Sequence, residues 1–369
     1  MNPRVPGNRL QSLDVFRGAT LASMVLVNDP GSWDHIYPQL EHAAWHGWTF
    51  TDTVFPFFLW IAGVALTLSF AKRVERGDSR LKLFFHVLRR SLLIFAVGLF
   101  LNGFPYFHLD RIRYLGVLQR IAICYLICAS LFLILKVRGL IVAIVCLLAG
   151  YWLLMMLVPV PGCGSGHLEK DCNLEKYVDG IFLTGHMWSQ TRVWDPEGLV
   201  STIPAIATML FGILIGYLMR SNRPPVEKTV WMFVAGNLLL FAGLVMNVWL
   251  PINKSLWTSS YSVYMAGLAS IVFALCYWVV DVRERHRWSR FFAIYGMNAL
   301  AVFVFTGVIG RLLGIVKIGE QSLEVWIFDN LFAPVASPIN ASLLYAVVNV
   351  FFYFLIVYIM YRRGWFLRV

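Results

Sequence analysis

Charge is what this chain has least of. Only 14% of its 369 residues are Asp, Glu, Lys or Arg, while 59% are apolar; a soluble domain averages roughly 25% charged. With a mean hydropathy of +0.68, its surface cannot mostly face water. Internal repeats, low-complexity tracts and any polar block long enough for a soluble domain are also missing. That excludes solenoids and leaves a single transmembrane domain over residues 1–369. Strand-like alternation is absent as well, which argues against a closed β-barrel, the other structure that can span lipid. Cysteines are few, and Cys124, Cys128, Cys146 and Cys276 lie inside apolar runs, where a thiol packs as a small hydrophobe.

Long apolar runs are plentiful. They cover roughly 11–30, 51–71, 89–104, 115–135, 140–159, 199–220, 230–250, 259–280, 291–311 and 340–361. Each is near the 20 or so residues a helix needs to cross a hydrocarbon core of about 30 Å. The pattern predicts an all-α, polytopic transmembrane helix bundle of about ten spans. The first run contains Asp14 and Arg17 and ends in Asn28-Asp29-Pro30 without a small-residue cleavage site, so it reads as a retained helix and not a signal peptide.

The net charge of +11 is unevenly placed. The N-terminus (Arg4, Arg9), 72–90, 136–138, 220–228, 281–290 and the C-terminal tail together hold 21 of the 31 basic residues, and the alternate segments hold eight. Lys and Arg are retained on the cytosolic side, which predicts cytosolic N- and C-termini. The positive charge is thus a topology signal that also suits phospholipid headgroups, not a nucleic-acid footprint. A basic inner rim is equally what a phosphate-bearing cofactor entering from the cytosol would need.

The long outer stretch 160–198 contains Cys163 and Cys172 among Pro, Gly and polar residues, a disulfide candidate in an oxidising exterior. It closes on Asp195-Pro196-Glu197, which reads as a helix start with Asp as N-cap and Pro at the first position. A second outer segment, 312–339, mixes apolar and polar residues and suits a short interfacial helix.

Ionisable groups inside a membrane are costly and are functional candidates by default. Asp14 and Arg17 lie three apart on one helical face and can simply pair, a structural role. Arg120, next to Gln119 one turn into its span, must face a cavity or a carboxylate. The densest cluster is 28–52, NDPGSWDHIYPQLEHAAWHGWTFTD, with His35, His42, His46, Asp29, Asp34, Glu41 and Asp52 and neither Lys nor Arg. A histidine there can shuttle protons or act as a nucleophile. His42 and His46 have the spacing of a helical zinc pair, but Trp45 and Gly47 interrupt the stretch and no cysteine is near, so no metal is expected. An interfacial loop with Trp and His at headgroup level explains the composition without chemistry.

The segments RLQSLDVFRGATLASMVLVN, HAAWHGWTFTDTVFPFFLWIAG and IRYLGVLQRIAICY resemble the transmembrane heparan-α-glucosaminide N-acetyltransferase family and its bacterial relatives. VPVPGCGSGHLEKDCN, VWDPEGLVSTIPAI, NKSLWTSSY and YGMNAL extend the resemblance in the same order from Arg9 to near the C-terminus. It implies an acyltransferase that moves acetyl from cytosolic acetyl-CoA to the amine of a glucosamine-type sugar on the outer side. Bacterial members of this length accompany N-acetylglucosamine utilisation, which implies a multi-pass protein of a bacterial inner membrane. The animal enzyme's large N-terminal extension is absent from this sequence.

The family's catalytic histidine falls on His42, its aspartate ten residues on falls on Asp52, and the asparagine closing the first helix falls on Asn28. His42 then either takes the proton of the attacking amine or is itself acetylated; both routes stay open. Asn28 would serve the thioester oxyanion or fix the His42 tautomer. Gln119, Arg120 and Asn298 are candidates to line the cofactor passage, and Arg89, Arg90, Arg362 and Arg363 to meet its phosphates. The expected partners are acetyl-CoA, an amino sugar and membrane lipid, and the aromatic-rich spans are compatible with a homodimer. Rival readings are a secondary transporter for amino sugars, although no paired broken helices are apparent, and an O-acetyltransferase of envelope glycans.

Overall fold

The computed structural model describes residues 10–367; Arg4, Arg9 and Arg368 lie outside them. The described residues are mainly helical, with two short hairpins among them. The helices are α1 (Gln11–Asn28), α2 (Val54–Glu75), α3 (Arg80–Gly103), α4 (Val117–Ile134), α5 (Val137–Leu157), α6 (Leu174–Phe182), α7 (Thr202–Arg220), α8 (Pro225–Met246), α9 (Ser259–Tyr277), α10 (Ser289–Met297), α11 (Ala299–Ile315), α12 (Leu323–Ile327) and α13 (Pro338–Arg362). β1 (Leu168–Glu169) pairs antiparallel with β2 (Cys172–Asn173), and β3 (Lys317–Ile318) with β4 (Gln321–Ser322).

Helix ends follow local chemistry. The Ser79 hydroxyl caps α3 by accepting from Lys82 N, and the Asn173 side chain caps α6 by accepting from Lys176 N, each satisfying a donor that the first turn leaves free. Proline opens α8 and α13, where its missing N–H costs nothing.

Among the described residues, eight helices are long and apolar enough to cross a bilayer; the broken pair α10–α11, bent by 77°, makes a ninth if it counts as one span. The tenth expected span, α1, has 18 residues but carries Gln11, Asp14 and Arg17. Twelve of those residues are buried, so α1 is sheltered by protein and has little need of a lipid-facing apolar surface. The single run expected over 291–311 is the other departure, because Asn298 interrupts it between α10 and α11. The short outer helix expected within 312–339 is α12.

Contacts divide the chain into two packing units. The first holds α1, α10–α13 and residues 49–54; the second holds residues 43–48 and nearly all of α2 to α9. In the first unit, α1 and α10 touch backbone to backbone. A Cβ added to Gly18 would lie 1.8 Å from the Phe292 carbonyl oxygen, and one on Gly296 would lie 2.1 Å from that of Asp14. Small residues permit this approach where lipid supplies no hydrophobic drive between helices. In the second unit α7 is central, 78% of its apolar window being buried, against 22% for α5 and α8.

Candidate active site

Two short turns of the first unit lie on either side of His42 in the chain. α1 ends at Asn28, which is exposed. A single 3-10 turn covers Pro38–Leu40, and a second, Thr51–Thr53, leads into α2. Asp52 sits in that second turn, only 1% of its side chain exposed, and its Oδ1 lies 2.6 Å from His42 Nδ1. The imidazole is 49% exposed. A carboxylate can only accept, so Nδ1 carries the proton, and in the neutral imidazole Nε2 then presents its lone pair.

The carboxylate is itself held. Asp52 Oδ2 accepts from Thr49 N at 3.0 Å and lies 3.2 Å from Thr49 Oγ1. Thr49 Oγ1 donates to the Glu41 carbonyl and Thr51 Oγ1 to the Leu40 carbonyl, the latter at 2.6 Å. Sequence reading passed over both threonines, because a hydroxyl at a loop position carries no signal until its partners are known.

The other histidines of the stretch lie apart from this pair. His35 is exposed. His46 belongs to the second unit, where its Nδ1 is 3.4 Å from Asn253 Nδ2 while Gly47 N donates to the Ile252 carbonyl. Trp45 Nε1 donates to the Leu168 carbonyl, and its ring meets Trp194 edge-on. Among the described residues, no three His, Cys, Asp or Glu side chains converge as a metal site would require.

Within the second unit lies an ionic network. Arg113 donates through Nε and Nη2 to both oxygens of Asp195, at 2.8 and 2.5 Å, and through Nη2 to Glu197. The expected N-cap role of Asp195 is therefore overturned: α7 starts at Thr202 after Ser201, and Asp195 anchors a salt bridge to a residue 82 positions earlier. Burial alone would lower the Arg113 pKa, but Glu197 and Asp195 reverse that and raise it. Burial likewise opposes ionisation of Glu197, and Arg113 overcomes it.

Arg120, 1% exposed, donates to Ser201 Oγ and to the Gly198 carbonyl, and stacks 5.1 Å above Trp257. Ser201 passes the contact on, donating to Glu175 Oε1 at 2.6 Å. Asp179 accepts from Asp195 N and Leu199 N. Asp179 Oδ2 and Glu175 Oε1 each lie 2.3 Å from the point a Gly198 Cβ would occupy, so the two carboxyls are neighbours. Burial, and after it the neighbouring acid, pushes Glu175 well above the usual carboxyl range, while burial pushes Asp179 up to about 6.

Of the remaining expected residues, Gln119 is buried against Gly98 of α3. Asn298 Nδ2 donates to the Trp365 carbonyl and its Oδ1 accepts from Leu367 N, so its amide ties down the C-terminal segment. Arg90 donates to Tyr125 Oη at 3.1 Å; Arg89, Arg362 and Arg363 are exposed. Asp14 and Arg17 pair at 3.0 Å. Cys163 and Cys172 form a disulfide with Cα atoms 6.0 Å apart.

Fold and site together define a multi-pass helical membrane protein with a partly exposed His–Asp pair. Residues 9–246 match the family described as heparan-alpha-glucosaminide N-acetyltransferase, catalytic. The human heparan-alpha-glucosaminide N-acetyltransferase is 30% identical over 350 residues, covering 80% of this chain and 52% of the human protein. Its mouse counterpart is 30% identical over 357 residues, covering 82% of this chain and 54% of the mouse protein. The chain belongs to the heparan-alpha-glucosaminide N-acetyltransferase family. It spans about half the length of these relatives.

Proposed function

We propose that this protein is a transmembrane N-acetyltransferase that uses cytosolic acetyl-CoA to acetylate the amine of a glucosamine-type sugar on the opposite face of a bacterial inner membrane. The observation that carries the reading is the His42–Asp52 pair, 2.6 Å apart with a half-exposed imidazole, at the positions where the family resemblance puts catalytic residues. Both termini are assigned to the cytosol from the bias of Lys and Arg between loops, and the Cys163–Cys172 disulfide suits an oxidising outer compartment.

Two residues would perform the chemistry. Asp52 holds His42 in the Nδ1–H tautomer and stabilises the imidazolium that forms when Nε2 takes a proton. In direct transfer, Nε2 removes a proton from the sugar ammonium, the amine nitrogen bonds to the thioester carbonyl carbon, the C–S bond breaks, and the thiolate departs with the proton that the new amide nitrogen sheds. In the two-step route, Nε2 itself bonds to that carbon and releases the thiolate, and the sugar amine then takes the acetyl from His42. Asn28 is the candidate donor to the developing oxyanion.

Unpaired buried donors support the reading of acetyl-CoA as donor. Gln119 Nε2 and Arg120 Nε and Nη1 are buried donors with no hydrogen-bond partner, suited to a molecule rich in carbonyl and phosphate acceptors. Arg89, Arg90, Arg362 and Arg363 would meet its phosphates. Asn298 is left out of this set because its amide is engaged by the C-terminal segment.

The test uses purified protein with acetyl-CoA and glucosamine, following free CoA. Wild type should release CoA in an amine-dependent manner and His42→Ala should not; undiminished release by His42→Ala would sink the mechanism. The transporter alternative has one feature in its favour, the 77° break between α10 and α11, since broken helices mark transporter sites. Uptake of glucosamine into proteoliposomes without acetylation would establish it.

A further inference from the structure

We infer that Thr49 is a positioning residue that fixes the His42–Asp52 geometry by gripping both partners at once; the inference rests on the assignment of His42 as the reacting base or nucleophile. Through its backbone N–H, Thr49 binds Asp52 Oδ2 at 3.0 Å, leaving Oδ1 to face His42 Nδ1. Through its hydroxyl it binds the Glu41 carbonyl, whose carbon is bonded directly to the nitrogen of His42. One residue therefore sets both the rotation of the carboxylate and the placement of the peptide plane that leads into the imidazole.

The hydroxyl has a single proton and two acceptors within reach, the Glu41 carbonyl and Asp52 Oδ2, the second at 3.2 Å. Its proton is committed to the carbonyl, the nearer of the two. A β-branched side chain has few χ1 choices, so Thr49 offers this oxygen with little freedom to swing away. Serine keeps the oxygen with a looser torsion, and valine keeps the shape without the oxygen.

Thr51 supplies an internal control. Its hydroxyl donates to the Leu40 carbonyl at 2.6 Å, a similar clamp one residue further from His42. Thr51 is peptide-bonded to Asp52, but its hydroxyl bond goes to Leu40 and to neither side chain of the pair. If the clamps served only to hold the loop, removing either hydroxyl would act alike. If Thr49 sets the pair, its loss disturbs the Nδ1–Oδ1 bond more than the loss of Thr51 does. Reacting groups misplaced by about 1 Å can cost roughly 100-fold in rate.

The experiment combines steady-state kinetics with proton NMR of 15N-histidine-labelled full-length protein in nanodiscs. The reporter is the strongly deshielded His42 Nδ1–H signal expected for a carboxylate-bound imidazole, assigned by its loss in His42→Ala. Thr49→Val should lower kcat by about 10- to 100-fold while leaving the KM for acetyl-CoA within about twofold, and should move or abolish that signal. Thr49→Ser should restore both readouts, and Thr51→Val, whose lost bond lies one peptide further from His42, should affect both less than Thr49→Val does. Should Thr49→Val fail to fold, Thr49→Ala deletes atoms without adding any and is read the same way. A wild-type signal in the hydroxyl-free variant overturns the inference, as does an equal effect from Thr51→Val. A signal that shifts in Thr49→Val, in a protein lacking amine-dependent CoA release, refutes the proposed function and leaves the positioning role standing.

Discussion

Asp52 and Asp195 are both almost fully buried carboxylates beside a nitrogen base, yet their surroundings differ. Asp52 faces an imidazole that is half in the open. Asp195 is clasped by both arms of Arg113, accepts two backbone N–H groups and borders a second acid held by the same guanidinium. At Asp52 the protein leaves the partner's second nitrogen available for chemistry. Both oxygens of each acid are engaged, and the difference lies in the partner: Arg113 is turned on two acids, His42 on one. Two acids of equal burial thus differ in how exposed their partners are, which is a better guide to function than burial or proximity to a base.

That contrast can be broken experimentally, and the largest effect belongs to the closed network. Arg113→Ala leaves Asp195 and Glu197 as buried anions without their guanidinium partner. Breaking a buried pair in this way typically costs about 3–5 kcal/mol, so the variant should show a marked fall in thermal midpoint or fail to accumulate. A normal melting curve would show that the network is dispensable.

His42→Ala reverses the pattern. Its midpoint should stay near wild type because the side chain is half exposed, while the rate of amine-dependent CoA release falls by about 100- to 10,000-fold, the usual contribution of a positioned general base. Asp52→Asn should fall by a comparable factor, up to about 10,000-fold, because the base remains but its tautomer is no longer enforced. Equal kinetics for wild type and Asp52→Asn would remove Asp52 from the mechanism.

The smallest expected effect concerns Glu175 and Asp179. Their carboxyl pKa values are raised in the folded protein, chiefly by burial, Asp179 to about 6. The folded state therefore holds these protons more tightly than the unfolded chain. Stability from this pair is greatest below the ordinary carboxyl range and declines as pH rises through about 6 and beyond. Wild type should lose thermal midpoint between about pH 5 and pH 8, and Glu175→Gln, which cannot ionise beside Asp179, should flatten the loss. Identical slopes would show that the pair does not titrate with folding.

The spans were legible in the sequence because an apolar run of bilayer length has few other uses. Their ends were less so. α3 begins at Arg80, nine residues before its expected start, because the Ser79 cap and good helix formers extend it past the apolar part. The break at Asn298 was hidden inside continuous hydrophobicity, with no proline to announce it. For the site, motif resemblance pointed to His42 and Asp52, which lie in one loop. Asp195-Pro196-Glu197 misled because its local pattern is a genuine helix-start signal. Its partner, Arg113, lies 82 residues away, and no local pattern encodes a long-range pair. Thr49 and Thr51 were missed for a related reason: their role depends on which carbonyls the folded loop brings to them.

The contact between α1 and α10 bears on which natural variants this protein can tolerate. With Gly18 facing a carbonyl oxygen and Gly296 facing another, the smallest conceivable side chain, a single methyl group, collides with backbone that cannot rotate aside. A substitution scored as mild by any measure of chemical similarity, glycine to alanine, would here be among the harshest. Allelic variation at these two positions should be sparser than at the charged residues on the exposed loops, where larger chemical changes meet only solvent.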